Sequence, residues 1–99
     1  MEFNFQWDSQ KDLMNRRKHG ITFREATQVF KDPMALTLFD EEHSLNEDRW
    51  ITLGLTFAGE YLLVIHTFYE HSEDSADIRI ISARKATRNE IKQYEEGHL

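Results

Sequence analysis

The first apolar residues of the chain alternate with polar ones: Phe3, Phe5 and Trp7 share one side of an extended segment whose other side carries Glu2, Asn4 and Gln6. That period of two predicts a short strand over 2–7 with one apolar face. The period then changes. Asp8 is placed to cap a helix reaching about His19, with Gly20 as the residue that closes it. Leu13 and Arg17 lie on one side of this helix and Lys11, Met14 and Lys18 on an adjacent stripe, so packing rather than propensity must hold it. A second helix starts at Thr22, which forms a capping box with Glu25 while Ile21 is positioned to staple onto Ala26. Phe23, Ala26 and Phe30 recur at helical spacing as candidate core. Asp32-Pro33 ends the run, because proline withdraws a donor and restricts the residue before it.

Beyond Pro33, strand signals dominate. Residues 34–39 read as a strand, 40–48 as a polar connection, and 49–57 as a strand with Ile51, Leu53, Leu55 and Phe57 on one face and Trp50 and Thr52 on the other. The compact turn Ala58-Gly59-Glu60 predicts an antiparallel hairpin with 61–69. That strand is continuously apolar to Ile65, as expected of one covered on both faces, and His66 and Phe68 continue the face of Leu62 and Val64. The acidic stretch 70–76 breaks the pattern and reads as a solvated loop. Ile78, Ile80 and Ile81 then form the β-branched centre of a strand over 77–83. A second capping box, Thr87 with Glu90, starts a last helix whose Ile91 and Tyr94 share a face. The order β-α-α-β-β-β-β-α predicts an α+β fold. It is a single small domain over 1–99, with a mostly antiparallel four- to five-stranded sheet packed against an N-terminal helix pair and a C-terminal helix.

Length limits what such a domain can enclose. Its 99 residues form a surface groove more readily than a deep cavity. Without cysteine there is neither a disulfide nor a thiolate nucleophile, and no apolar run reaches the ~18 residues of a membrane span. A soluble, cytoplasmic protein is the expectation, with no membrane partner. The net charge of -6 argues against a nucleic-acid ligand until its distribution is considered. Lys11, Arg16, Arg17, Lys18 and Arg24 form one basic window and Arg79, Arg84, Lys85, Arg88 and Lys92 another. A fold that joins the two makes a cationic groove on an acidic protein.

The strand-to-helix junction at Arg84, Lys85 and Arg88 is a candidate phosphate site, because a helix start offers unpaired N–H groups and arginine a rigid fork of donors. The bland reading of the same residues is a central strand with solvated cations at its ends. Arg79 and Arg84 have opposite strand parity, so a twist, a bulge or the strand end must re-aim one of them if both serve one site. Lys18 and His19 supply the candidate opposite wall. His66 is a candidate for proton transfer because the unperturbed pKa of histidine lies near neutrality, although an isolated histidine in an apolar strand also reads as a hydrogen-bonded interior residue. Tyr94 reads as either a phosphate or base contact or a core residue, and His43 with Glu47 as a second acid–base pair if their connection folds over the groove. No cofactor is expected. The carboxylates around His43 lack the spacing of a metal site.

The ordered set Phe5-x-Trp7-Asp8, Lys18-His19-Gly20, Phe23, Phe30-x-Asp32-Pro33, Glu47-Asp48-Arg49-Trp50, Gly54, His66-Thr67 and Arg79 to Arg88 with Glu90 and Tyr94 resembles the BrnT family of bacterial type II toxins. The likeness runs from about Phe5 to Glu95. It implies a RelE-like fold, ribonuclease activity that depresses translation, and neutralisation by a BrnA-like ribbon-helix-helix antitoxin. Operator DNA is then reached only through the antitoxin complex. On this basis Arg84, Arg79 and His66 are the expected catalytic residues, and Lys18, His19, Arg88 and Tyr94 the expected RNA-binding ones. A toxin homologue that binds its antitoxin without cleaving RNA stays open as the alternative, and direct DNA binding ranks last because no reading helix is recognisable.

Overall fold

The computed structural model describes residues 1–99. Strand β1 (Glu2–Gln6) leads into helix α1 (Ser9–His19), a single-turn helix α2 (Phe23–Ala26) and a 3-10 turn over Thr27–Lys31. Strands β2 (Leu36–Phe39), β3 (Trp50–Leu55), β4 (Tyr61–His66), β5 (Tyr69–Ser72) and β6 (Ser75–Lys85) come next, and helix α3 (Arg88–Glu96) completes the α+β domain. None of its helices is long and apolar enough to cross a membrane.

Local chemistry sets the helix ends as expected. The Asp8 carboxylate accepts from the N–H groups of Gln10 and Lys11, and both capping boxes, Thr22–Glu25 and Thr87–Glu90, are formed. Gly20 closes α1 at φ 72°, a left-handed conformation in which a side chain would be strained. The second helix is shorter than its periodicity predicts. After Ala26 the chain tightens into the 3-10 turn, which brings Val29 against Gly54 of β3; a Cβ added at Gly54 would lie 3.0 Å from the Val29 Cβ.

The sheet has six strands, one more than the expected upper count, in the order β1-β6-β4-β3-β2, with β5 also on β6. The extra strand comes from the acidic stretch expected as a loop. Tyr69 to Ser72 pairs antiparallel with the start of β6, and all four residues are exposed. An edge strand needs only backbone partners on one side, so a polar sequence serves it and discourages further pairing. β1 joins β6 in parallel, with Phe5 opposite Ile78, whereas all other pairs are antiparallel.

One register shift organises the functional side of the molecule. Ile65 pairs with Ser82 but His66 pairs with Ile80, leaving Ile81 as the extra residue of a bulge in β6. Burial tracks it: Ala76, Ile78 and Ile80 point into the core before the bulge, and Ala83 after it. Ile21, Phe23, Ala26 and Val29 pack on this inner face together with Leu62 and Val64. Helix α3 lies across the outer face, where Tyr94 meets Tyr61 edge-to-face at 5.3 Å.

Candidate functional site

The bulge resolves the parity conflict between the two arginines. Counted across Ile81, Arg79 and Arg84 fall on the same outer face, opposite the core side chains Ile80 and Ala83. A groove of about 420 Å³ runs over this face. Ile51, Leu63, Ile65, Ile81 and Ser82 form its floor, Arg84 and Glu90 stand at the α3 end, and Asp40, Glu42, His43 and Arg49 stand at the other.

Each arginine is aimed by a carboxylate. Arg84 donates from Nη1 to Glu90 Oε1 at 2.8 Å and from Nη2 to Glu90 Oε2 at 3.0 Å, while Nη1 also reaches the Lys85 carbonyl at 3.3 Å. The guanidinium hydrogen bonds hold the Glu90 carboxyl below its usual range, and the same bonds raise Arg84 further. Arg79 donates to Glu47 Oε1 at 2.5 Å, and Arg49 lies 3.5 Å from that oxygen. The Arg79 hydrogen bond, followed by the charges of Arg79 and Arg49, lowers the Glu47 pKa. Arg84 uses three of its five N–H donors in these contacts, leaving two for a ligand.

Lys18 and His19 border an adjoining depression of about 280 Å³. Its wall on the sheet side is again Ile81 and Ser82, so the two basic windows meet at the bulge. Asn15 holds α1 there. Its amide donates to the Ala83 carbonyl at 2.8 Å and to the Ile21 carbonyl at 3.0 Å, and its oxygen accepts from the Ala83 N–H at 3.1 Å. β1 stops at Arg79, so Asn15 substitutes for a neighbouring strand along the far half of β6.

Four expected site residues border neither depression, the first being Arg79, which lies on the outer face paired with Glu47. Arg88 is exposed on the first turn of α3 and borders neither depression. Tyr94 donates its hydroxyl to Asp32 Oδ2 at 2.7 Å, and burial together with that bond pushes its pKa up to about 12. Asp32 also accepts from the N–H groups of Leu55 and Met34, which makes Tyr94 a latch between α3 and the end of the 3-10 turn. His66 is on the inner face, 1% exposed and edge-on to Phe30 at 4.8 Å. Its Nδ1–H donates to the Thr67 carbonyl at 2.9 Å, and its Nε2 accepts from Thr52 Oγ1 at 2.7 Å. Burial lowers its pKa, so the ring is neutral and both nitrogens are occupied. The sheet separates it from the arginines, contrary to the catalytic grouping expected from sequence.

The connection 40–49 does fold against the groove, with a partner for His43 that sequence reasoning missed. His43 Nδ1 lies 3.0 and 3.1 Å from the two oxygens of Asp40 rather than on Glu47. The only sequence signal was their i,i+3 spacing. No three His, Asp or Glu side chains are grouped to hold a metal ion.

Comparisons with known proteins agree with this architecture. Comparison with curated proteins gives no match. Among solved structures, the ribonuclease toxin BrnT of Brucella abortus superposes with a TM-score of 0.62 at 20% identity, over 89% of this chain and 100% of that one. At that identity the likeness carries the fold. A family model described as the ribonuclease toxin BrnT of type II toxin-antitoxin systems matches residues 7–90, the span that holds both walls of the groove. The chain belongs to the BrnT family of type II toxin-antitoxin ribonuclease toxins.

Proposed function

We propose that this protein is a metal-independent endoribonuclease that binds RNA along the outer face of its sheet and inhibits translation by cutting it. What carries the reading is the bulge at Ile81, where the Arg84 groove and the Lys18–His19 depression share a wall. Cleavage by the ribose 2′-oxygen develops extra negative charge on the phosphate, and a fixed guanidinium aimed at that charge stabilises the transition state more than the ground state. Arg84 has this role, and Arg79, on the same face but outside the groove lining, adds positive charge along the RNA path. Lys18 and His19 contact the RNA backbone, and Arg88 adds exposed charge at the start of α3. Glu90 and Glu47 keep the guanidinium groups oriented before RNA arrives.

Membership of a type II system implies an antitoxin partner. We assign that role to a BrnA-like ribbon-helix-helix protein that neutralises the toxin, with operator DNA bound through the complex. Purified chain incubated with single-stranded RNA in excess chelator tests the catalytic reading. Cleavage at the rate seen without chelator is expected, and loss of cleavage restored by one divalent ion contradicts it. A folded protein that binds its antitoxin and leaves RNA intact supports a binding-only homologue instead.

A further inference from the structure

The geometry points to His43, oriented by Asp40, as the group that takes the 2′-hydroxyl proton in this groove, an assignment that rests on the RNA-cleavage reading. Asp40 is 9% exposed and faces the imidazole with both oxygens, so the proton resides on Nδ1 and Nε2 is left as a free acceptor. The ring itself is open to solvent, its side chain 64% exposed. The segment carrying this pair is tied at its neck. The Asp40 N–H donates to the Arg49 carbonyl at 2.9 Å, the Ser44 hydroxyl donates to the Asp40 carbonyl at 2.5 Å, and the Arg49 N–H donates to Ser44 Oγ at 3.0 Å.

His43 shares the groove with Arg84 and Arg49, and Glu42 and Glu90 are the other ionisable groups that line it. The competing bases are worse placed. Glu47 is engaged by Arg79 and Arg49, His66 is sealed on the inner face, and His19 belongs to the adjoining depression. His71 also meets a carboxylate, with Nε2 2.6 Å from Asp77, but it lines neither the groove nor that depression.

In the step assigned to it, neutral His43 accepts the 2′-hydroxyl proton as that oxygen bonds to the adjacent phosphorus. The bond from phosphorus to the 5′-oxygen breaks, and the departing oxygen takes a proton from water. The products are a 2′,3′-cyclic phosphate and a 5′-hydroxyl, and imidazolium returns its proton to the hydroxide formed. Asp40 is a positioning residue, stabilising the imidazolium through Nδ1–H.

The test is the pH dependence of kcat on a single-stranded RNA oligonucleotide for wild type, His43→Gln, Asp40→Asn and His71→Gln, each with its melting temperature. His43→Gln is expected to lower kcat about 10²- to 10⁴-fold with KM and melting nearly unchanged, and to abolish the acid limb of the profile. Asp40→Asn should lower kcat and move that limb, whereas His71→Gln should match wild type. A folded His43→Gln protein with wild-type kcat and the same acid limb overturns the assignment, as does a loss confined to His71→Gln. If Arg84→Ala is inactive in the same assay, either result leaves the RNA-cleavage reading standing. A wild-type chain that leaves RNA intact overturns both.

Discussion

Glu90 closes the capping box of α3 with Oε1 and grips Arg84 with both carboxylate oxygens. The helix start and the aim of the guanidinium are thus one structural unit, which the Thr87–Glu90 spacing disclosed only as a cap. His66 illustrates the opposite outcome. A histidine in a strand is chemically suited to proton transfer, but the Thr37–Thr52–His66 hydrogen-bond chain assigns this one to the interior. Its folded pKa lies below the ordinary 6.5, so the unfolded chain binds the proton more readily. The associated stability is complete above 6.5 and is lost as pH falls from there through the folded value. Denaturant titrations at about pH 8 and about pH 5.5 should show lower stability at the acid side, with much of that difference absent in His66→Gln. The variant should also lose about 1–3 kcal/mol at neutral pH while its folded fraction cleaves RNA at nearly the wild-type rate. A fully folded His66→Gln protein without activity would return this residue to the chemistry.

At the scale of elements, α1 is attached to β6 through Asn15, and removing that amide strands the backbone N–H and carbonyl of Ala83 in a buried setting. Asn15→Ala should lower stability by about 1–3 kcal/mol, measured by chemical denaturation, and weaken RNA binding by loosening the Lys18–His19 wall. Gly54 answers to a different constraint. Its Cβ position is 3.0 Å from the Val29 Cβ and 3.2 Å from the Ala35 Cβ, so Gly54→Ala should cost about 1–3 kcal/mol in the same assay without altering cleavage by the folded protein. The caps at Asp8, Thr22 and Thr87 and the β3–β4 hairpin were legible in the sequence because each depends on side chains only a few residues apart. β5 was not, since its pairing comes from backbone groups that composition does not reveal. Asn15 escaped notice for a related reason: its partner, Ala83, is 68 residues away. The bulge was legible as a requirement, through the parity of Arg79 and Arg84, but its location at Ile81 depends on the pairing with β4.

Across the whole molecule, a net charge of -6 coexists with a basic seam where α1 meets the outer face of the sheet. Glu70, Glu73 and Asp74 lie on β5 and its turn and border neither depression, whereas Asp40, Glu42 and Glu90 line the groove beside Arg49 and Arg84, so the surface with basic residues and no carboxylate is the depression lined by Lys11 and Lys18. RNA affinity should fall with added salt as expected for about two to four phosphate contacts on a single strand, a log–log slope of roughly -1.4 to -2.8. Fluorescence anisotropy across a salt series measures it, and a slope near zero would contradict ionic binding on this face. Choosing between the faces of the sheet is the larger question, because the two expected catalytic arginines lie on one and the expected catalytic histidine on the other. The most direct measurement is kcat and KM for RNA cleavage by wild type, Arg84→Lys and Arg84→Ala, with thermal unfolding of the same preparations. Arg84→Ala is expected to melt within the few degrees that correspond to loss of a partly exposed ion pair of about 0–1 kcal/mol, yet to lose at least about 100-fold in kcat with a smaller change in KM. Arg84→Lys, which keeps the charge but not the fork, should fall between them. A folded Arg84→Ala protein that cuts RNA at the wild-type rate would remove the outer-face guanidinium from the chemistry.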